Sequence, residues 1–174
     1  MSADEQLVKA AIKGDDTAFI KLIQTYKIDL YKTALSFLRN EEEALEAIQE
    51  VTYRAYKSMS SVKDTAYFKT WLIRIMINYC NDQVKKNKRV ILGDDAFIHQ
   101  GKTESHTGME LKDAMLDLDE RSREVLTLKY FNDMKIKDIA HTMKCPEGTV
   151  KTWLNKALKA LRNKLEDKGG DLHV

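Results

Sequence analysis

A single proline, Pro146, interrupts a chain of 174 residues, and only seven glycines accompany it. These are the strongest helix breakers, proline because it lacks an N–H and glycine because it loses the most conformational freedom on folding. A chain so poor in both can form long helices, and its apolar residues are spaced for them. Phe19, Leu22, Ile23, Tyr26, Leu30, Tyr31, Ala34, Leu35 and Leu38 recur at intervals of three and four. That spacing lines one face of a helix, not one face of a strand. Leu, Ala, Lys and Glu are also abundant. The expected fold class is all-α, with little sheet.

The stripe divides the chain into successive helices. A first helix starts near Asp4, carries Leu7, Ala10 and Ala11, and stops at Gly14, after which Asp15 or Asp16 offers an N-cap. The long stripe follows and ends at Asn40. Over residues 41–59, Ala44, Ile48, Val51, Ala55 and Met59 share one face, and Glu42, Glu43, Glu46, Gln49, Glu50 and Tyr53 share the other. A polar turn follows, with Asp64 or Thr65 as its cap, and then a helix over 66–88. That helix is apolar on nearly every side around Leu72, Ile73, Met76 and Ile77, as suits the central helix of a domain, and ends in the basic run QVKKNKR. Periodicity fails over the next twenty residues, where glycines, aspartates and two histidines break any stripe. Helices are expected again at 110–118, 120–131, 136–143 and 148–165. The outcome is two small helical domains, 1–89 and 110–168, joined by a flexible linker, 90–109, with a tail at 169–174. Fully extended, such a linker spans at most roughly 65–70 Å.

The formal net charge of +2 hides a segregation of sign. Residues 1–50 carry −4, residues 51–90 carry +7, residues 91–125 carry −5 and residues 126–168 carry +5. Blocks of opposite sign point to separate partners of opposite charge, although solvated helix faces also produce them. Enzyme motifs are missing. His99, His106, His141 and His173 form no HExxH or other metal spacing, no Ser/His/Asp signature stands out, and no glycine-rich phosphate loop follows a strand. No enzymatic activity, cofactor, metal or small-molecule substrate is expected. Cys80 and Cys145 offer no CxxC pair and read as buried free thiols. No run approaches the roughly 18 apolar residues of a membrane span, and residues 1–11 carry acids rather than a basic start, so a cytoplasmic location is expected.

Residues 146–165 read PEGTVKTWLNKALKALRNKL. On a wheel at about 100° per residue, Val150, Trp153, Leu154, Ala157, Leu158, Leu161 and Leu165 fall in one arc, with Lys151, Thr152, Asn155, Lys156, Lys159, Arg162 and Asn163 opposite. Ahead of it, Ile136, Ile139, Ala140 and Met143 make the apolar side of a short helix. A short helix, a brief turn and a longer basic helix have the proportions of a helix-turn-helix. Pro146 sits at a helix start, where its missing N–H costs nothing. Thr149, Lys151, Thr152, Asn155 and Lys156 would then meet base edges and phosphates. Taken alone, the stretch is equally a surface helix kept soluble by its lysines.

Residues 120–165, with Arg121 and Arg123 in one helix, the Ile139–Ala140 pair in the next and Gly148 to Lys151 opening the last, resemble region 4 of bacterial sigma factors of the extracytoplasmic-function (ECF) group, in the sigma-70 family. The segments DDTAFIKLIQTYKIDLYKTAL, EEEALEAIQEVTYRAYKSM and YFKTWLIRIMINYCNDQVKKNKR resemble the successive parts of sigma region 2. The resemblance implies an alternative sigma factor that binds RNA polymerase core and directs promoter recognition. Glu46, Gln49 and Glu50 match the family's acidic pattern for the clamp helices of the polymerase β′ subunit; region 4 would meet the β flap. Asn78 matches the asparagine that helps hold an unpaired base of the −10 element, and the loop 61–67 matches one that takes up a flipped base. Tyr67 or Tyr79 supplies a ring for stacking, and Lys85, Lys86, Lys88 and Arg89 are placed to follow phosphates. For the −35 element the matching positions are Thr149, Lys151, Thr152, Asn155 and Lys156. The sequence departs from the common pattern in three ways: many relatives have arginines at more of these sites, Lys144 stands in the turn where relatives have a small residue or glycine, and Trp153 stands where relatives are often polar or basic. Trp71 and Trp153 are both expected to pack. Family membership further implies control by an anti-sigma factor, often membrane-anchored.

A second reading, a stand-alone helix-turn-helix regulator with an N-terminal sensor or dimerisation module, leaves the acidic face and the basic central helix without a joint explanation.

Overall fold

The computed structural model describes residues 2–93 and 106–170. The chain divides into two compact units, Met1–Val84 and Lys85–Val174. Among the described residues every regular element is helical, and eight are α-helices.

Local capping fixes where the first helices begin and end. α1 (Ala3–Ile12) starts where the Ser2 hydroxyl accepts the Glu5 N–H, and Gly14, at φ 99°, turns the chain after it. α2 (Asp16–Leu38) is capped by Asp15, whose carboxylate accepts the Ala18 N–H at 3.1 Å. Arg39, in the left-handed region at φ 58°, ends it. α3 (Glu41–Ser58) opens on Asn40, which accepts the Glu43 N–H at 3.0 Å. Two 3-10 turns follow, Met59–Ser61 and Thr65–Tyr67, the second capped by Asp64. α4 (Phe68–Gly93) then runs past the expected end at 88.

The core of the N-terminal unit is apolar and built around α4. Leu22, Leu30, Leu72, Ile73, Met76 and Ile77 are wholly buried, each stabilising the fold by about 1.5–3 kcal/mol relative to exposure. Val8 and Phe37, absent from the expected stripes, join them. Aromatic and polar contacts tie the helices at the rim. The Tyr26 ring lies 5.9 Å from that of Phe68, and the Tyr26 hydroxyl donates to Asp4 at 2.7 Å. Tyr56 packs edge-on against Phe19 and donates to Asp16 at 2.9 Å. Cys80 is buried, and burial pushes its thiol up to about 12. Cys145 is only half-buried, so the expectation of two buried thiols holds for Cys80 alone.

In the C-terminal unit α5 (His106–Leu116), α6 (Glu120–Leu126) and α7 (Ile136–Met143) all pack on α8 (Glu147–Gly170). The single helix expected over 120–131 is divided. After Leu126 the backbone loosens into a π-helical turn, Thr127–Phe131, whose end is closed by Asn132: its backbone N–H and its side-chain amide both donate to the Thr127 carbonyl, at 3.1 and 3.2 Å. α7 occupies the residues expected and ends at Lys144, at φ 55° and ψ 48°. That left-handed conformation favours glycine, which explains why lysine is a departure there. Arg123 is buried, and its Nη1 donates to the carbonyls of Leu116 and Leu118, both at 2.8 Å, sealing the end of α5.

The leucines that share one arc of α8 are not all buried. Leu158 is 36% exposed. With Leu161, Arg162, Leu165 and Glu166 it lines a shallow groove of about 430 Å³. Of the expected linker, residues 94–105 lie outside the described residues, as do residues 171–174 of the expected tail. No helix of the described residues is long and apolar enough to cross a membrane.

Candidate functional site

α3 carries its acids on a rotation fixed by its small residues. Glu41, Glu42 and Glu43 fill the first turn, where the helix dipole favours negative charge. Ala44, Ala47, Ile48, Val51 and Ala55 are buried against the unit. Glu46 and Gln49 are thereby turned to solvent, with Glu50 half-exposed beside them. Leu45 and Tyr53 stand exposed on the same helix. Glu50 accepts a hydrogen bond from Arg54 Nε at 2.9 Å, and the Arg54 guanidinium lies 5.2 Å from the centre of the Tyr79 ring on α4. Tyr79 holds its proton more tightly than a free tyrosine, through burial first and then through Cys80, Glu50 and Glu46 nearby. Arg54 was not among the expected site residues. Its signal was present in the sequence, a glutamate four residues before an arginine on one helix face.

α4 presents the expected DNA-facing residues along its length. Tyr67 ends the 3-10 turn before it and is half-buried; Asn78 is exposed. Helical geometry puts Asn78, Lys85 and Arg89 within an arc of about 40°, with Lys86 and Lys88 flanking them. All four basic residues are exposed. Trp71 is half-buried, its ring 5.6 Å from that of Phe68.

α8 buries Val150, Leu154 and Ala157 and turns Lys151, Thr152, Asn155 and Lys156 outward, with Thr149 half-buried near its start. The Thr152 hydroxyl donates to the Gly148 carbonyl at 3.0 Å. Trp153 is half-buried and is covered by a cation from another helix: the Arg121 guanidinium lies 4.2 Å from its ring centre. Next to Arg121, Asp119 caps α6, accepting from the Ser122 backbone N–H at 2.8 Å and its hydroxyl at 3.0 Å. That backbone bond holds the Asp119 carboxyl below the ordinary carboxylate range, and the Ser122 hydroxyl and the Lys156 ammonium add to the effect.

The chemistry on offer is recognition. One unit presents exposed carboxylates and an amide, and the other presents ammonium, amide and hydroxyl groups along one helix. Among the described residues no group of three or more His, Cys, Asp or Glu side chains could hold a metal ion. Two family descriptions match the chain, "Sigma-70 region 2" over residues 22–90 and "Sigma-70, region 4" over residues 108–161. The chain is 31% identical over 156 residues to "ECF RNA polymerase sigma factor SigM" of Bacillus subtilis (strain 168), a match covering 83% of this chain and 94% of that protein. The chain belongs to the ECF sigma factors. It is also 30% identical over 149 residues to "RNA polymerase sigma factor SigV" of the same organism, covering 84% of this chain and 90% of that one. This sigma factor shares its fold with the sigma factor RpoE, solved in complex with the anti-sigma factor NepR from Bartonella quintana, at a TM-score of 0.62 and 23% identity over 85% of this chain and 96% of that one. As a sigma factor it binds RNA polymerase core and directs promoter recognition and transcription initiation. Every expected site residue falls within region 2 or region 4. A stand-alone regulator would have no use for region 2.

Proposed function

We propose that this sigma factor divides its work between its two units, docking on polymerase and holding the −10 element through region 2 and reading the −35 element through region 4. Glu46, Gln49 and Glu50 contact the clamp helices of the β′ subunit, where arginines opposite carboxylates form charge-assisted pairs. Asn78 and Tyr67 hold unstacked bases of the −10 element, by amide hydrogen bonds and by stacking. Lys85, Lys86, Lys88 and Arg89 follow its phosphates, adding affinity without sequence choice. On α8, Lys151, Thr152, Asn155 and Lys156, with Thr149 at the helix start, meet the −35 element in the major groove. Region 4 also meets the β flap. An anti-sigma factor, anchored at a membrane, holds the chain inactive by covering these faces.

The observation that carries the reading is the rotation of α3, which buries Ala44, Ala47, Ile48, Val51 and Ala55 and leaves Glu46 and Gln49 exposed. Nothing in the fold of region 2 requires Glu46, so a change there separates docking from stability. Glu46→Lys is expected to weaken binding of the full chain to purified core polymerase by at least about tenfold, the loss of one charge-assisted contact. Its unfolding free energy should stay within about 0.5 kcal/mol of that of the unaltered chain, as for most surface changes. Unchanged core affinity would remove Glu46 from the docking face.

A further inference from the structure

We infer that Asp4 and Tyr26 are positioning residues for the −10 element: through the hydrogen bond between them, α1 and α2 brace the turn that presents Tyr67, an inference that rests on Tyr67 holding an unstacked base. α1 is the helix that the function so far leaves without a task, since the region 2 match begins at residue 22. It packs on both 3-10 turns, Met59–Ser61 and Thr65–Tyr67. Those turns need support. Over residues 59–67 only Met59 and Val62 are buried, and Ser60, Ser61, Lys63, Asp64 and Ala66 are exposed. A 3-10 turn makes poorer hydrogen bonds than an α-helix. The one that ends at Tyr67 is closed by Asp64, whose carboxylate accepts the Ala66 N–H at 3.1 Å and whose carbonyl accepts the Tyr67 N–H at 3.2 Å.

The brace runs from α1 to the residue next to Tyr67. Asp4, in the first turn of α1, accepts from the Tyr26 hydroxyl at 2.7 Å. The Tyr26 ring lies 5.9 Å from that of Phe68, which is buried at the start of α4 and follows Tyr67 directly in the chain. One turn further along α2, Asp29 pairs with Lys69 at 3.6 Å, a second tie to the same end of α4. Burial and the Asp4 carboxylate hold the Tyr26 proton tightly, so the hydroxyl stays a donor. The backbone just after Tyr67 is thus pinned by α2, and the turns before it are backed by α1. A ring held in place before the base arrives gives up less freedom on binding than one on an unbraced turn. Removing the Tyr26 hydroxyl would leave the ring against Phe68 and take away the tie to α1.

The test uses the full chain assembled with purified core polymerase and a template from one mapped promoter whose −10 strand is already unpaired. Affinity is compared before and after single bases of that strand are removed, leaving sugar and phosphate. Removal of the base on Tyr67 should cost the unaltered holoenzyme at least about fivefold, the lower end for stacking on an aromatic ring. Tyr67→Ala should erase that penalty and so mark the position. Tyr26→Phe and Asp4→Ala, on opposite sides of the bond, should each reduce the penalty there at least about twofold, leave the penalties elsewhere unchanged, and add nothing to each other when combined. Asp4→Asn, whose amide oxygen still accepts, should keep the full penalty. If Tyr67→Ala erases a penalty that Tyr26→Phe and Asp4→Ala leave whole, this inference falls and the reading of Tyr67 stands. If Tyr67→Ala changes no position, both fall. Variants that weaken binding to intact and base-free templates alike, or that lower the thermal midpoint with the penalty unmoved, would mark the Asp4–Tyr26 pair as packing only and overturn the inference. Equal loss in Asp4→Asn and Asp4→Ala would overturn the hydrogen bond as the brace.

Discussion

In the N-terminal unit the side chains that lose contact with water are nearly all apolar, Leu22, Leu30, Leu72, Ile73, Met76 and Ile77 at the centre, with Thr33, Thr70 and Asn81 as the buried polar residues. The C-terminal unit buries Ser122, Arg123, Glu124, Thr127 and Asn132 within one short stretch. The difference follows from what each stretch must do. Four helices that stack along their lengths need only matching apolar faces. A short helix that ends in a π-helical turn and must close the end of α5 has carbonyls to satisfy, and Arg123 and Asn132 are the donors that reach them. An apolar core is stabilised by area, whereas a polar cluster is stabilised by particular partners, so the two units should respond to mutation in different ways. Each unit carries one tryptophan, Trp71 in one and Trp153 in the other, so fluorescence can follow their unfolding separately once one ring is replaced by phenylalanine.

The largest expected effect is in the apolar core. Leu72→Ala should destabilise the N-terminal unit by about 2–5 kcal/mol, the range for a buried leucine that leaves a cavity, with the denaturant midpoint of the C-terminal unit unmoved. A shift in both midpoints would mean that the units unfold together. Next comes Arg123→Met, which keeps the bulk of the side chain but removes its donors. It strands the Leu116 and Leu118 carbonyls and should cost the C-terminal unit about 2–3 kcal/mol. A neutral result would show that water or other groups satisfy those carbonyls, and the contrast between the cores would lose its main support. The smallest effect has the opposite sign. Lys144 occupies the left-handed region at φ 55°, a conformation that costs most side chains about 1 kcal/mol or more. Lys144→Gly should therefore raise the stability of the C-terminal unit by up to about 1 kcal/mol. A loss of stability there would show that the lysine side chain makes a contact worth more than the strain.

The same contrast sets how much could be read from the chain before its structure. Helices packed on apolar faces were legible: the stripe of α2, the buried face of α3 and the bounds of α7 follow from three- and four-residue spacing. Val8 and Phe37 escaped because each stands one or two positions from residues that fit the stripe better, and small rotations of a helix decide which neighbour is buried. The π-helical turn escaped because spacing analysis assumes one hydrogen-bond register throughout, and Thr127–Phe131 departs from it. The buried Arg123 was seen only as an arginine of a family pattern, since nothing in spacing foretells that a charged side chain will turn inward to meet carbonyls. In the candidate site, exposure of Glu46, Gln49, Lys151, Asn155 and Lys156 followed from the helices on which they lie. Arg54 was within reach of local rules, four residues after Glu50. The stacking of Arg121 on Trp153 was not, because it joins residues far apart in the chain through the packing of α6 on α8.

Division of labour between two unlike units is the claim on which the account stands, and transcription itself tests it most directly. Promoters can be mapped by sequencing transcripts after overproduction of the chain, and one of them used as template for purified core polymerase. The unaltered chain should direct initiation at that start site. Glu46→Lys should abolish initiation through loss of core binding, and Lys156→Ala should bind core normally yet respond less to the upstream element. If the chain bound that promoter duplex tightly on its own but never supported initiation with core, or if both variants failed at the same step, the account would be contradicted.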